Sequence, residues 1–164
     1  MGILGPLIPS QETALPDRRD TLKAGSLLAL LAAQGLVSLR EARAASQRAG
    51  FEAATLAGAL AALGGQPAGS EQVVLTALDV VEDGAVAPVG VLSRLPGTTE
   101  IHLLVEKNPV PLSASFSVPP GTVPELQLRV KMAESSRVFA VVRAEGRLYL
   151  AQRHTEVTLG SCGG

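Results

Sequence analysis

Short apolar stretches alternate with polar turn residues from residue 71 to residue 159. Within Glu125–Lys131, Leu126, Leu128 and Val130 alternate with polar residues, as in a strand that buries one face. The turn Ala144-Glu145-Gly146 between two apolar runs predicts a hairpin. Further strands are predicted over residues 71–80, 86–92, 101–105, 113–118, 138–143, 147–152 and 156–159. Short strands at this spacing indicate a mainly β fold, an antiparallel β-sandwich.

A single helix is predicted in front of the strands. Phe51–Leu63 is rich in alanine and leucine, and its apolar side chains recur close to every 3.6 residues. Gly64 and Gly65 follow it and favour a C-terminal cap. We expect this helix to pack against the sheets.

Pro88 interrupts the second predicted strand, residues 86–92. Proline has no N–H to donate to a sheet ladder. It therefore predicts that this strand lies at an edge or contains a bulge.

The N-terminal residues have the pattern of an export signal. Arg18 and Arg19 precede an uncharged run from Ala24 to Leu39, and small residues around Ala44 suit a cleavage site. The adjacent arginines resemble a twin-arginine (Tat) signal. The apolar run is shorter than the roughly 20 residues that span a bilayer, which argues against a stable membrane anchor. We predict a signal peptide over residues 1–44, cleaved on export to the periplasm.

The charge balance excludes some function classes. The chain has 14 lysines and arginines against 15 aspartates and glutamates, and no basic patch of the kind that binds nucleic acid. The histidines, His102 and His154, have no neighbouring ligand residues in the sequence, so we expect structural or surface roles and no metal site.

The one cysteine, Cys162, lies in the C-terminal run Gly160-Ser161-Cys162-Gly163-Gly164. Glycines give a backbone great freedom, so the run predicts a flexible, exposed arm that carries one thiol. An odd cysteine in an exported protein points to pairing between chains or to a reactive thiol. No cation is close in sequence to lower its pKa, so the thiol is expected to act as a handle for other proteins.

Four stretches together resemble the SoxY family. They are residues 82–89 (EDGAVAPV), 104–116 (LVEKNPVPLSASF), 131–136 (KMAESS) and 157–164 (VTLGSCGG). The family's tail reads Gly-Gly-Cys-Gly-Gly, so Ser161 adds a hydroxyl and some stiffness beside the cysteine. Asp83 replaces the family's usual asparagine, and it still suits a turn.

The resemblance implies a carrier subunit and not an enzyme. It implies an immunoglobulin-like sandwich over residues 45–159, with one N-terminal helix, and a carrier arm over residues 160–164. It further implies a heterodimer with a SoxZ-like subunit and no cofactor other than the sulfur held on Cys162. The transient partners would be the haem enzyme SoxAX, the manganese hydrolase SoxB and, in many organisms, SoxCD. The resemblance also implies that the polar connection 106–109 faces a partner. The polar connection 131–136 needs no special function.

Two other functions fit parts of the sequence. A C-terminal Gly-Gly also occurs in ubiquitin-like carriers, which bear sulfur as a thiocarboxylate. That chemistry requires cytosolic adenylation, which the export signal disfavours. An exported immunoglobulin-like binding module without covalent chemistry would not need the last five residues.

Overall fold

The computed structural model describes residues 38–158. Within these residues two helices, α1 and α2, precede nine strands, and a short 3-10 turn at Gly84–Val86 precedes β4. The helices are α1 (Leu39–Glu52) and α2 (Leu56–Leu63). The strands are β1 (Ala68–Gly69), β2 (Val73–Ala77), β3 (Val80–Val81), β4 (Ala87–Ser93), β5 (Thr98–Val105), β6 (Leu112–Ser117), β7 (Glu125–Val130), β8 (Ser136–Ala144) and β9 (Arg147–Val157).

The strands form two sheets. The larger has the order β1-β9-β8-β5-β6, with β3 also paired to β9, and the smaller has the order β2-β4-β7. Most neighbours are antiparallel, but β1 and β3 both pair with β9 in parallel. The prediction of a purely antiparallel sandwich is therefore wrong at these two short strands, which were too short to show a pattern of their own.

The inner faces of the two sheets enclose one aliphatic core. Side chains from β2, β4 and β7 meet side chains from β5 and β8. The most deeply buried include Val91, Ile101, Leu103, Val138, Ala140 and Val142. This packing confirms a mainly β sandwich, and it is consistent with an immunoglobulin-like fold.

The outer face of the larger sheet is covered by helix. Ala59 and Leu63 of α2 pack on a second buried cluster formed by Leu104, Leu112, Phe139, Val141 and Leu148. Gly50 of α1 comes so close to Leu112 that an added Cβ would lie 2.8 Å from the leucine Cδ2. The helical part of the chain thus packs on this sheet, as predicted.

The helix predicted over Phe51–Leu63 is in fact two helices. It begins within α1 and is interrupted before Thr55, whose extended backbone and side chain cap α2 by accepting from Gly58 N at 3.1 Å. Threonine favours such an N-cap, and this local signal overrode the helical tendency of the alanines around it. The predicted glycine C-cap is confirmed, because Gly64 has a φ of 118° and donates to the carbonyls of Leu60 and Ala61.

Helix α1 starts at a capping box. Ser38 Oγ accepts from Glu41 N at 3.2 Å, and Glu41 Oε2 accepts from Ser38 N at 3.0 Å. The hydrogen bond from the Ser38 backbone holds the pKa of Glu41 below its ordinary value. The helix runs through Ala44, and cleavage there stays a prediction. Among residues 38–158, no helix is both long and apolar enough to cross a membrane.

Pro88 does not lie in an edge strand, so that prediction is wrong. β4 is the central strand of the smaller sheet. Its pairing with β2 runs from Val89 to Ser93, and Pro88 pairs only with β7, opposite Arg129. The proline is tolerated because it lies one residue beyond the ladder with β2.

The predicted hairpin between β8 and β9 is confirmed. Glu145 and Gly146 have φ values of 48° and 76°, the left-handed pair that a tight two-residue turn needs. The two strands predicted over 147–152 and 156–159 are instead one strand, β9, which continues through the polar residues Gln152, Arg153 and His154. The polar side chains in this part of the strand are exposed to solvent, and they do not mark the end of the strand.

Candidate functional site

The predicted carrier residues lie outside the described residues. These are the arm glycines Gly160, Gly163 and Gly164, with Ser161 and Cys162 between them, and the export-signal residues Arg18 and Arg19. The structure does describe the strand that leads to the arm, as far as Thr158. The candidate site is therefore the base of the arm.

The end of β9 is held from both sides. Toward β3, Glu156 N donates to Asp79 O at 2.8 Å and Thr158 N donates to Val81 O at 2.9 Å. On the other side, Val157 N donates to Ser135 Oγ at 2.9 Å. Backbone pairing with β8 ends at Thr155, opposite Ser136, so the hydroxyl of Ser135 extends the ladder by one residue before the start of β8.

Asn108 fastens the loop that carries Ser135. Its Nδ2 donates to Lys131 O at 2.7 Å, and its Oδ1 accepts from Ala133 N at 2.9 Å. Both functions of one amide are therefore used on one loop, which joins β7 to β8. A neighbouring contact has the same effect, since Lys107 N donates to Ser136 Oγ at 3.1 Å.

Gly84 packs under the same loop. Met132 N donates to Gly84 O at 2.6 Å, and a Cβ on this glycine would lie 2.5 Å from Met132 O and 3.0 Å from Val157 Cγ1. Only glycine leaves room for this approach. Met132 itself is buried.

These contacts bring the four family-like stretches together. Gly84, Asn108, Ser135 and Val157 come from four stretches that are well separated in sequence, and all belong to one contact network at the base of the arm. We use the name arm collar for the residues that hold Val157, directly or through the loop that carries Ser135: Gly84, Asn108 and the loop 131–135. The resemblance implied only that the connection containing Asn108 faces a partner, and it implied no role for Ser135. The available signal was that both side chains are polar and can form hydrogen bonds, but this does not identify the residues that they bond.

Charged pairs surround the collar at the surface. Arg137 binds Glu106 through two nitrogens, at 2.9 and 2.5 Å, and its guanidinium lies 5.5 Å from the centre of the Phe139 ring. The hydrogen bond from Arg137 lowers the pKa of Glu106, and the same contact raises the pKa of Arg137. Lys107 lies 3.7 Å from Glu134. These opposite charges leave the collar without a strong net charge of either sign.

A second polar cluster is buried on the helix-covered face of the larger sheet. Arg143 Nε donates to Glu100 Oε2 at 2.7 Å, and Arg143 also donates to Leu63 O at the end of α2. His102 is fully buried, with Nδ1 2.9 Å from Ser115 Oγ and Nε2 3.3 Å from Glu100 Oε2, a contact without hydrogen-bond geometry.

The contact with the His102 imidazole, together with the hydrogen bond and charge of Arg143, outweighs burial and holds the pKa of Glu100 at about 2. The cluster ties two strands to a helix, so His102 has a structural role. His154 is exposed on β9. Within residues 38–158 no group of three histidine, aspartate or glutamate side chains could hold a metal ion.

Comparison with known proteins shows the class of this domain. The family model of the sulfur oxidation protein SoxY matches residues 59–162, which includes Cys162 and most of the described fold. A search of curated proteins finds no significant match.

One solved structure is similar over nearly its whole length. It is the sulfur carrier protein SoxY from Chlorobium limicola f thiosulfatophilum, with 35% sequence identity and a TM-score of 0.58, covering 71% of this chain and 97% of that one. The chain belongs to the SoxY family of sulfur oxidation proteins.

Proposed function

We propose that this protein is the covalent sulfur carrier of a thiosulfate-oxidising system, with Cys162 as the attachment site. The observation that carries the proposal is the family match, which extends through the cysteine to residue 162. The collar supports it, because β3 and a network of loop contacts hold the end of β9, the strand that leads to Cys162. A protein with no use for its tail would not need that network.

Loading joins thiosulfate to the cysteine by oxidation. The thiol loses its proton, its sulfur bonds to the sulfane sulfur of thiosulfate, and two electrons pass to a haem partner of the SoxAX type. The product is a cysteine S-thiosulfonate. A hydrolase of the SoxB type then adds water and releases sulfate and two protons, which leaves a persulfide on Cys162. A SoxCD-type enzyme would oxidise that outer sulfur by adding the oxygen atoms of three waters, taking up six electrons and releasing six protons. A second hydrolysis would then release sulfate and return Cys162 to the thiol.

The carrier supplies no catalytic group to these steps. A free thiol with an ordinary pKa near 8.5 is only a few per cent thiolate at neutral pH, so activation takes place in the partner's pocket. Glycine residues on either side of the cysteine allow the arm to enter a narrow channel.

Partners are proposed to approach the arm end of the sandwich. Leu78, Val80, Val86 and Val110 are large apolar side chains that stay between 42% and 53% exposed, and all lie in segments next to the collar or within loops that contribute to it. Exposed apolar side chains of this kind favour protein contacts.

The apolar runs 101–105 and 139–142 are buried within the chain and are not available to a partner. A SoxZ-like subunit is the proposed stable partner, and the periplasm, reached by Tat export, is the proposed compartment.

The deciding experiment maps sulfur on the tail. Protein purified without reductant from cells of the source organism grown on thiosulfate is expected to show free thiol, sulfur adducts and a disulfide-linked dimer, which reductant collapses to one mass. Cys162→Ser should give one mass from the start and abolish thiosulfate oxidation while the fold is kept, with Ser161→Gly as the matched control that keeps activity.

Four outcomes would reject the proposal, and the last two of them would indicate another function. Sulfur adducts found away from Cys162, or oxidation that survives Cys162→Ser, would exclude the cysteine carrier. Sulfur loading that survives alkylation of the thiol would indicate a C-terminal thiocarboxylate. Normal function after deletion of residues 160–164 would indicate a binding module.

A further inference from the structure

The arm collar fixes the point at which the arm begins. On one side of β9 the ladder with β8 ends at Ser136 opposite Thr155, and yet the strand continues to Val157 and its hydrogen bonds toward β3 continue to Thr158. The Ser135 hydroxyl provides the next acceptor on that side, for Val157 N at 2.9 Å. Without it, the amide of Val157 would lose its protein acceptor, and only β3 would hold the end of the strand.

Ser135 depends on Asn108 for its position. The loop 131–135 contains no strand, and it is held by the backbone hydrogen bond from Met132 to Gly84 together with the side-chain contacts of Asn108. A planar amide offers a donor and an acceptor on one rigid group, and Asn108 uses both, toward Lys131 O and from Ala133 N. Loss of either contact frees the loop segment that presents Ser135 to Val157.

The number of residues between the last one held by the domain and the cysteine determines how well the cysteine is presented. With Thr158 fixed, four residues, 159 to 162, lie between the last fixed point and the sulfur. If β9 frays back to Thr155, seven residues, 156 to 162, lie there instead. The effective concentration of a tethered group falls roughly as the −3/2 power of tether length, so fraying costs about twofold before any loss of direction is counted.

We propose that Ser135 and Asn108 are positioning residues of the carrier: they fix the base of the arm so that it presents Cys162 to partner enzymes at one end of the sandwich. The inference rests on the proposed carrier function. It assigns the two residues no contact with the sulfur, and their effect passes through Val157. The expected signature is a higher KM of the partner enzymes for the carrier at a nearly unchanged kcat, since only the fraction of correctly presented arms falls.

The test compares five variants of the full mature protein. Ser135→Ala removes the acceptor, and Ser135→Thr keeps it. Asn108→Ala removes both amide contacts, and Asn108→Asp keeps only the acceptor for Ala133 N. Ser117→Ala is the matched control, because Ser117 is an exposed serine of β6 that pairs with Glu100, at the opposite end of the strands from the collar.

Three measurements are made on each variant. Amide exchange at Val157 reports the base of the arm, and alkylation of Cys162 by iodoacetamide reports the thiol itself. Thiosulfate-dependent cytochrome c reduction by periplasmic extract of a strain lacking this protein, at varied carrier concentration, gives KM and kcat. We expect faster exchange and a KM raised about two- to fivefold in Ser135→Ala and Asn108→Ala, with kcat and alkylation unchanged. Ser135→Thr should restore both values, Asn108→Asp should fall between, and Ser117→Ala should match wild type.

Two results would overturn the positioning role. One is an unchanged KM in Ser135→Ala and Asn108→Ala, whatever the exchange rate. The other is a change in alkylation that accounts for the whole effect. Cys162→Ser is run in the same assay to separate the two proposals. If this variant is inactive while the collar variants behave as wild type, only the positioning role is rejected. If Cys162→Ser is active, the carrier function is rejected.

Discussion

Glu100 and Arg143 lie opposite each other on β5 and β8, and the arginine Nε donates to the carboxylate at 2.7 Å. Arg143 also donates to Leu63 O, one of the carbonyls that the end of α2 leaves without a helical partner. A single buried carboxylate thus orients an arginine that joins two strands to a helix. This linkage makes the outer face of the larger sheet sensitive to acid.

The first prediction concerns that sensitivity. Because the pKa of Glu100 is lowered from 4.5 to about 2, its contribution to the free energy of unfolding is complete above about pH 4.5 and is lost as the pH falls toward 2. The shift corresponds to at most about 3 kcal/mol. Glu100→Gln should reduce stability at pH 7 by about 2–4 kcal/mol, since Arg143 then keeps a neutral partner. Urea unfolding at several pH values measures both effects.

The matched control for this prediction is Glu106→Gln, which breaks the more exposed pair with Arg137. It should cost under about 1 kcal/mol at pH 7. The difference between wild type and Glu100→Gln should shrink from pH 5 to pH 2. A difference that stays constant over this range would show that Glu100 is not the acid-sensitive group.

The second prediction concerns Gly84. An alanine there would place Cβ 2.5 Å from the Met132 carbonyl oxygen, a backbone atom that moves only with its loop. We expect Gly84→Ala to lower the free energy of unfolding by about 1–3 kcal/mol. Gly69→Ala is the control, because nothing lies within 4 Å of its Cβ, and it should be neutral or slightly stabilising. Equal stability of the two variants in urea would contradict the packing argument.

The third prediction concerns the arm. Replacing Gly160 and Gly163 by valine adds branched side chains that restrict the backbone. The variant should unfold at the wild-type urea concentration but be processed poorly by partner enzymes. Ser161→Gly should be neutral or mildly beneficial. Wild-type turnover of the double valine variant would show that the arm does not need to pass through a narrow channel.

The fourth prediction concerns export. Replacing Arg18 and Arg19 by lysine keeps the charge but removes the arginine pair that resembles a Tat signal. Unprocessed precursor should then accumulate in the cytoplasm, as measured by fractionation and immunoblotting. Normal amounts of mature protein in the periplasm would show that another route is used.

Local pattern was sufficient wherever one element decided its own conformation. Along β7 the side chains alternate between exposed and half-buried, as the spacing of Leu126 and Leu128 predicted, and the β8–β9 turn formed at Glu145 and Gly146. In the first case one face of the strand is exposed to solvent, and in the second the turn requires residues that adopt a positive φ. Both requirements determine the residue types at neighbouring positions, so the sequence pattern shows them.

The remaining features depend on partners far apart in sequence. Glu100 and His102 had the appearance of ordinary strand residues, and only the pairing with β8 and the cover of α2 made them a buried ionic cluster. Asn108 and Ala133 are separated by 25 positions, and one hydrogen bond joins them. No periodicity encodes such contacts. The polar residues in the middle of β9 likewise led to the prediction that a strand ends at Gln152. Pairing with β8, which the sequence pattern does not show, keeps the strand going through these residues.

The pairing of β9 has a mechanical consequence. The strand that leads to the arm pairs in antiparallel fashion with β8 along one edge, from Arg147 to Thr155. Its other edge pairs in parallel with β1 near the start and with β3 at the end. An enzyme that pulls on the arm along the strand direction therefore loads many hydrogen bonds at once, in shear, because ladder bonds run across the strand. Peeling bonds one by one would need far less force. The pairing of β9 thus allows partner enzymes to pull on the C-terminal arm repeatedly without unfolding the domain.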